Sequence, residues 1–155
     1  MGVLYVRREM ADSVYPSIVG VGWEGARNSG AKRFETLGQQ AVARFGAMQE
    51  AIRFHNTLGM LRISSRARLL ADAVRNGVKK RIPNALFITP MEHQRSWGVV
   101  IFHIPGVDTS HVLENLYHKY NVGCAVMGSN IRFSPHCYNT LEDIDKAVYA
   151  VSHIS

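Results

Sequence analysis

Between Met60 and Arg81 the chain places Met60, Ile63, Ala67, Leu70 and Val74 at spacings of 3, 4, 3 and 4. That period puts all five on one face of a helix. A stripe of this length has to be buried, so the remaining chain must supply a second layer. Pro83 ends the element, because proline has no N–H for the helix ladder. Upstream, Ala41, Phe45, Met48 and Ile52 recur at 4, 3 and 4 and predict an earlier helix, with a break from Asn56 to Gly59. Arg62, Arg66, Arg68 and Arg75 fall off the second stripe and read as a solvated face.

The second layer reads as a sheet. Val3–Val6, Ala85–Ile88, Trp97–Ile104, Val122–Met127 and Asn130–Phe133 are short runs rich in β-formers. Val99 to Phe102 is apolar on both faces and predicts a strand covered on both sides. Pro105-Gly106 is a turn. Thr109 or Ser110 is expected to cap a helix with the apolar face Val112, Leu113, Leu116, Tyr117 and Tyr120. Thr140 with Asp143 makes a second cap pattern, ahead of Ile144, Ala147, Val148 and Val151. The result is an α+β chain with helices on one face of a small sheet.

With 155 residues, 46% hydrophobic and 19% charged, the chain is no disordered tail. No apolar run reaches the roughly 18 residues of a spanning helix, so no membrane is expected. The net charge of +6 is spread out, and its densest cluster, Lys79-Lys80-Arg81, is too short to bind a polyanion by itself. Nucleic acid is therefore not expected as a partner. Cys124 and Cys137 make no disulfide framework, and Met1 to Arg8 lacks signal-peptide architecture. A reducing cytoplasm is the default expectation. Seven histidines show no metal-ligand spacing, so no metal is assigned. Residues 17–31, SIVGVGWEGARNSGA, form a loop with unusual backbone freedom but no nucleotide-binding pattern.

The most informative stretch is NIRFSPHCYNTLEDID, residues 130–145. An arginine inside a strand, between Ile131 and Phe133, is expensive to bury without an anionic partner. Its planar fork suits a carboxylate through two parallel hydrogen bonds. The bland alternative is a structural arginine paired with a neighbouring acid. This segment resembles the C-terminal signature of class V aminotransferases. Those are fold-type I pyridoxal-phosphate (PLP) enzymes, among them isopenicillin N epimerase-like proteins, cysteine desulfurases and selenocysteine lyases. Gly2-Val3-Leu4-Tyr5-Val6 is similar to the strand after the cofactor lysine in that family. Arg33-Phe34-Glu35 is similar to its opening of the long interdomain helix.

The resemblance implies the small C-terminal domain of such an enzyme over residues 39–155, with residues 1–38 a remnant of the large cofactor domain. It implies that Arg132 holds the α-carboxylate of an amino-acid substrate. It places Thr36 and Gly38 where relatives contact the PLP phosphate across a homodimer, although Thr36 is offset and Gly38 replaces a hydroxyl. The family's chemistry needs a lysine bonded to the cofactor, and none of Lys32, Lys79, Lys80, Lys119 and Lys146 occupies an equivalent position. The chain thus supplies no catalytic residue of its own. It reads as a C-terminal segment of a longer enzyme, inactive alone, whose reaction is transamination, epimerisation or a lyase step. Phe45, Phe54, His55 and Asn56 lean toward the epimerase-like branch. Cys124 and Cys137 read as buried small residues rather than nucleophiles. The alternatives are a basic α+β binding module, which leaves the 130–145 signature unexplained, and a non-catalytic remnant.

Overall fold

A computed structural model describes residues 3–154. They divide into two compact units, Met1–Phe54 and His55–Ser155. Among the described residues no helix is long and apolar enough to cross a membrane.

The second unit carries the sheet. Four antiparallel strands, β1 (Leu86–Phe87), β2 (Val100–His103), β3 (Ala125–Met127) and β4 (Asn130–Phe133), lie in the order β1-β2-β4-β3. Gly128, at φ +60, and Ser129 close the β3–β4 hairpin in two residues, a turn that favours glycine because the backbone is left-handed there. β4 is an inner strand, and its register sets Arg132 beside Ile101 on one side and Ala125 on the other.

Alternation along the strands sends Val100, Phe102, Ile131 and Phe133 to one face, where all four are buried. Three helices close that face: α3 (Met60–Arg81), α4 (Val112–Tyr120) and α5 (Leu141–Val151). The predicted stripe on α3 is the core seam, with Ile63, Ala67, Leu70 and Val74 buried; its first member, Met60, is exposed. α5 contributes Ile144, Ala147, Val148 and Val151. Phe102 joins the layers, its ring 6.1 Å from Phe87 and 5.9 Å from Phe133. α3 and α5 approach closely at Gly77, where a Cβ would come within 2.9 Å of a Val148 methyl.

Several expectations are corrected here. β2 is shorter than residues 97–104, and only one of its faces is covered: Val99 and Ile101 are not buried, because no second layer of the unit lies over them. β3 starts at Ala125 rather than Val122, since Asn121 turns left-handed at φ 53 and keeps residues 122–124 out of the ladder. Asp108, not Thr109 or Ser110, caps the short 3-10 turn that leads into α4: its carboxylate accepts the Ser110 N–H at 3.0 Å. The arginines of α3 are not a uniformly solvated face. Arg75 is buried against Asp72 (2.8 Å), Arg66 donates to the Asn139 carbonyl (2.9 Å), and Arg68 donates to the His93 carbonyl (2.7 Å) while lying over Trp97.

In the first unit, residues 3–7 form no strand. A strand needs a backbone partner, and none of the described residues offers one; Gly2 of the same run lies outside the described residues. Val3, Leu4 and Tyr5 are exposed. The Gly-rich loop contains a single helical turn, α1 (Trp23–Ala26), and a 3-10 turn spans Gly30–Phe34. α2 (Val42–Leu58) is the predicted first long helix, and it runs past Asn56 to Leu58, interrupted only at Gly59 with φ +87. None of its residues is buried, the stripe with Phe45 and Ile52 included.

Candidate functional site

Arg132 is held on the face of the sheet that the helices leave open. Its neighbours along the strand, Ile131 and Phe133, point into the core and anchor it. The guanidinium uses little of its capacity. Nε is buried without a hydrogen-bond partner, and among the described residues the fork's one hydrogen-bond contact is Nη1 to the Met127 Sδ at 4.0 Å, a long approach to a weak acceptor. No Asp or Glu among the described residues lies within ion-pair distance of it. The structural-pair alternative thus finds no acid among the described residues, while Nε itself is sealed from solvent.

The turn after β4 is rigid for reasons visible in the sequence. Asn139 Oδ1 accepts the His136 N–H at 3.0 Å, and the Asn139 N–H returns to the His136 carbonyl at 2.9 Å. Thr140 and Asp143 form the full capping box of α5: Thr140 Oγ1 accepts the Asp143 N–H, and Asp143 Oδ2 accepts the Thr140 N–H. The Thr140 backbone N–H, with the Asn139 amide, holds the Asp143 carboxyl below its usual value of 3.8. A cleft of about 220 Å³ follows this turn, lined by Phe133, Ser134, Pro135, Asn139, Asp143 and Lys146 among others. Arg132 is not part of it. The cleft lies behind the signature rather than at the guanidinium.

The two cysteines differ. Burial pushes the Cys124 thiol up from 9.0. Cys137 sits 3.2 Å from His136 Nδ1. Both are only partly buried.

Thr36 and Gly38 belong to the first unit, apart from the unit that holds Arg132. Thr36 is buried and its Oγ1 has no hydrogen-bond partner. A hydroxyl can donate once and accept twice, so this one is wholly unused. Gly20 packs so tightly that a Cβ there would run into the Thr36 carbonyl oxygen. Gly38, at φ +97, takes a backbone conformation that other residues adopt at a cost. Arg33 is buried nearby in sequence: Nη1 donates to the Ala11 carbonyl at 2.9 Å and to Asp12 at 3.2 Å, and the guanidinium stands 5.7 Å from the Trp23 ring. An unused hydroxyl and a side-chain-free backbone are groups that an anionic oxygen such as a phosphate's can use. Contact through Thr36 Oγ1 requires the side chain to rotate outward, since the atom is sealed as it stands.

The four-stranded sheet with its helical layer matches known proteins. The model of the family "Aminotransferase class-V" covers residues 1–147, and the chain belongs to that family. It is 29% identical over 151 residues to the uncharacterized aminotransferase YcbU of Bacillus subtilis (strain 168), covering 94% of this chain and 39% of that protein. It superposes with a TM-score of 0.75 on the apo cysteine desulfurase of Thermococcus onnurineus NA1, at 21% identity, over 96% of this chain and 41% of that one. A mutant of C-DES solved with glycine covalently linked to its PLP cofactor matches at TM-score 0.76 and 16% identity, over 97% of this chain and 41% of that one. The fold is therefore that of fold-type I class V enzymes. The chain spans about two fifths of the length of these relatives.

Proposed function

We propose that this chain supplies the carboxylate-binding side of a PLP-dependent class V enzyme acting on an amino acid. The guanidinium of Arg132 carries the reading: it is presented on an inner strand, on the face opposite the helices, with an unused Nε and no acid paired with it among the described residues. A carboxylate placed there receives two parallel, charge-assisted hydrogen bonds. Two such bonds fix the plane of the carboxylate and the direction of its bond to Cα. When bound, PLP accepts the electron pair left at Cα through its ring. Thr36 and Gly38 would hold the phosphate. In this reading residues 1–38 belong to the large cofactor domain and 39–155 to the small one.

The chain's own lysines do not serve as the cofactor's anchor. Lys79, Lys80, Lys119 and Lys146 lie on α3, α4 and α5, the layer on the far side of the sheet from Arg132. Lys32 lies in the 3-10 turn before Thr36. The whole enzyme would work as a cytoplasmic homodimer, and the epimerase-like branch is the favoured relative on the 33–56 segment. Transamination, epimerisation and lyase chemistry would share the carboxylate receptor and differ in which bond is cleaved and where protons go.

Two measurements test this. Acetate should shift the Arg132 Nε–H resonance saturably, while chloride at equal ionic strength does not; equal, unsaturating responses refute the receptor. Pyridoxal phosphate added to this chain should leave no stoichiometric lysine adduct after borohydride treatment. A full adduct mapped to any of the five lysines would refute the division of labour.

A further inference from the structure

Met127 stands directly across the β3–β4 hairpin from Asn130, on the face that carries Arg132. Its sulfur is the only hydrogen-bond partner of the Arg132 guanidinium among the described residues, 4.0 Å from Nη1. The side chain is 49% exposed, so small solutes reach it. A thioether is a weak acceptor and a flexible one, which an arriving carboxylate displaces at little cost. A sulfoxide is different. It carries a strongly polar oxygen on the same flexible arm, already in reach of the same fork.

We propose that Met127 is a peroxide-sensitive gate on the Arg132 carboxylate receptor. This rests on the receptor reading given above. The sulfur lone pair attacks the O–O bond of a hydroperoxide. One oxygen transfers to sulfur, which loses two electrons, and the hydroperoxide leaves as water or an alcohol. The new S=O oxygen accepts from Nη1 and competes with the substrate's carboxylate for the donors that orient it. Oxidised methionines are open to reductive repair, so the gate is reversible in principle. Nothing on the opposite side of the fork competes with it, because no acid pairs with Arg132 among the described residues.

The test uses the full chain treated with hydrogen peroxide, with each methionine's conversion read by peptide mass spectrometry. Met10, Met60 and Met91 are 50%, 56% and 49% exposed and act as internal controls for general oxidation. Oxidation of Met127 should shift the Arg132 Nε–H resonance even without a carboxylate present. It should also weaken acetate binding about tenfold, the scale of one hydrogen bond to a charged group. Met127→Leu, which keeps the volume and loses the sulfur, should bind acetate as the untreated protein does and be indifferent to peroxide. Full conversion of Met127 without a shift at Arg132, or an equal peroxide response in Met127→Leu, overturns the gate. If untreated protein shows no saturable acetate response while Met127 oxidation still moves Arg132, the contact stands and the receptor reading falls instead.

Discussion

At the residue scale, the buried cation of α3 separates two roles that an arginine can have. Arg75 is 3% exposed and pairs with Asp72 at 2.8 Å, yet its Nε and Nη2 have no partner. Removing the acid strands the charge, whereas replacing the arginine by an apolar side chain of similar length removes the desolvation problem altogether. Asp72→Ala is therefore expected to destabilise the protein by about 1–3 kcal/mol, while Arg75→Met is near neutral and the double variant resembles Arg75→Met alone. Urea denaturation of the four proteins measures the cycle; equal losses for both single variants would contradict it. Arg132 contrasts with Arg75. It too has a buried Nε, but no acid among the described residues pairs with it. The sequence pointed to Arg132, because an arginine inside an apolar strand demands a partner. It misassigned Arg75, because helical spacing alone does not say which residues off the main stripe the rest of the fold encloses.

Among the elements, α5 illustrates a local code that works. Thr140 and Asp143 predict the capping box from spacing, and both of its hydrogen bonds are present. Thr140→Ala should cost about 1 kcal/mol, read as a shift in the urea midpoint. Asp143, Glu142 and Asp108 all have carboxyls held below their ordinary values, each chiefly by a backbone N–H: that of Thr140, its own and that of Ser110, respectively. For a depressed carboxyl, the stability it contributes is complete above the unfolded value, about 3.8 for Asp, and disappears as pH falls through the lower folded value. The melting temperature should thus fall as pH drops from about 4. Asp143→Asn, which cannot titrate, should show a shallower acid limb. An unchanged slope in that variant would remove Asp143 from the account. The strand ends were less legible. Val122–Cys124 has strand composition, but the left-handed Asn121 reorients the backbone, and no residue count reveals that turn.

For the whole molecule, the two units differ in kind. Among the described residues of 3–54 only Ala11, Pro16, Arg33 and Thr36 are buried, while the second unit holds a continuous core of α3, α4, α5 and the sheet. Stability concentrates where apolar surface is buried, and segments with little burial open locally at low cost. Limited proteolysis should cut first between residues 3 and 54 and leave a resistant product beginning near Met60, identified by mass spectrometry. Primary cuts inside α3 or α5 would show that the division is wrong. Residues 130–145 by themselves determined the arginine-bearing strand, the turn, the cap and the likeness to class V enzymes, because those features depend on short-range spacing and on the chemistry of single side chains. The period of α3 likewise determined its buried stripe. Only the tertiary structure decided that one face of the sheet stays open, that Val3–Val6 has no ladder, that Arg75 is enclosed and that Met127 lies against Arg132. Each of those depends on which distant segment arrives alongside, and side-chain period carries no information about arrivals.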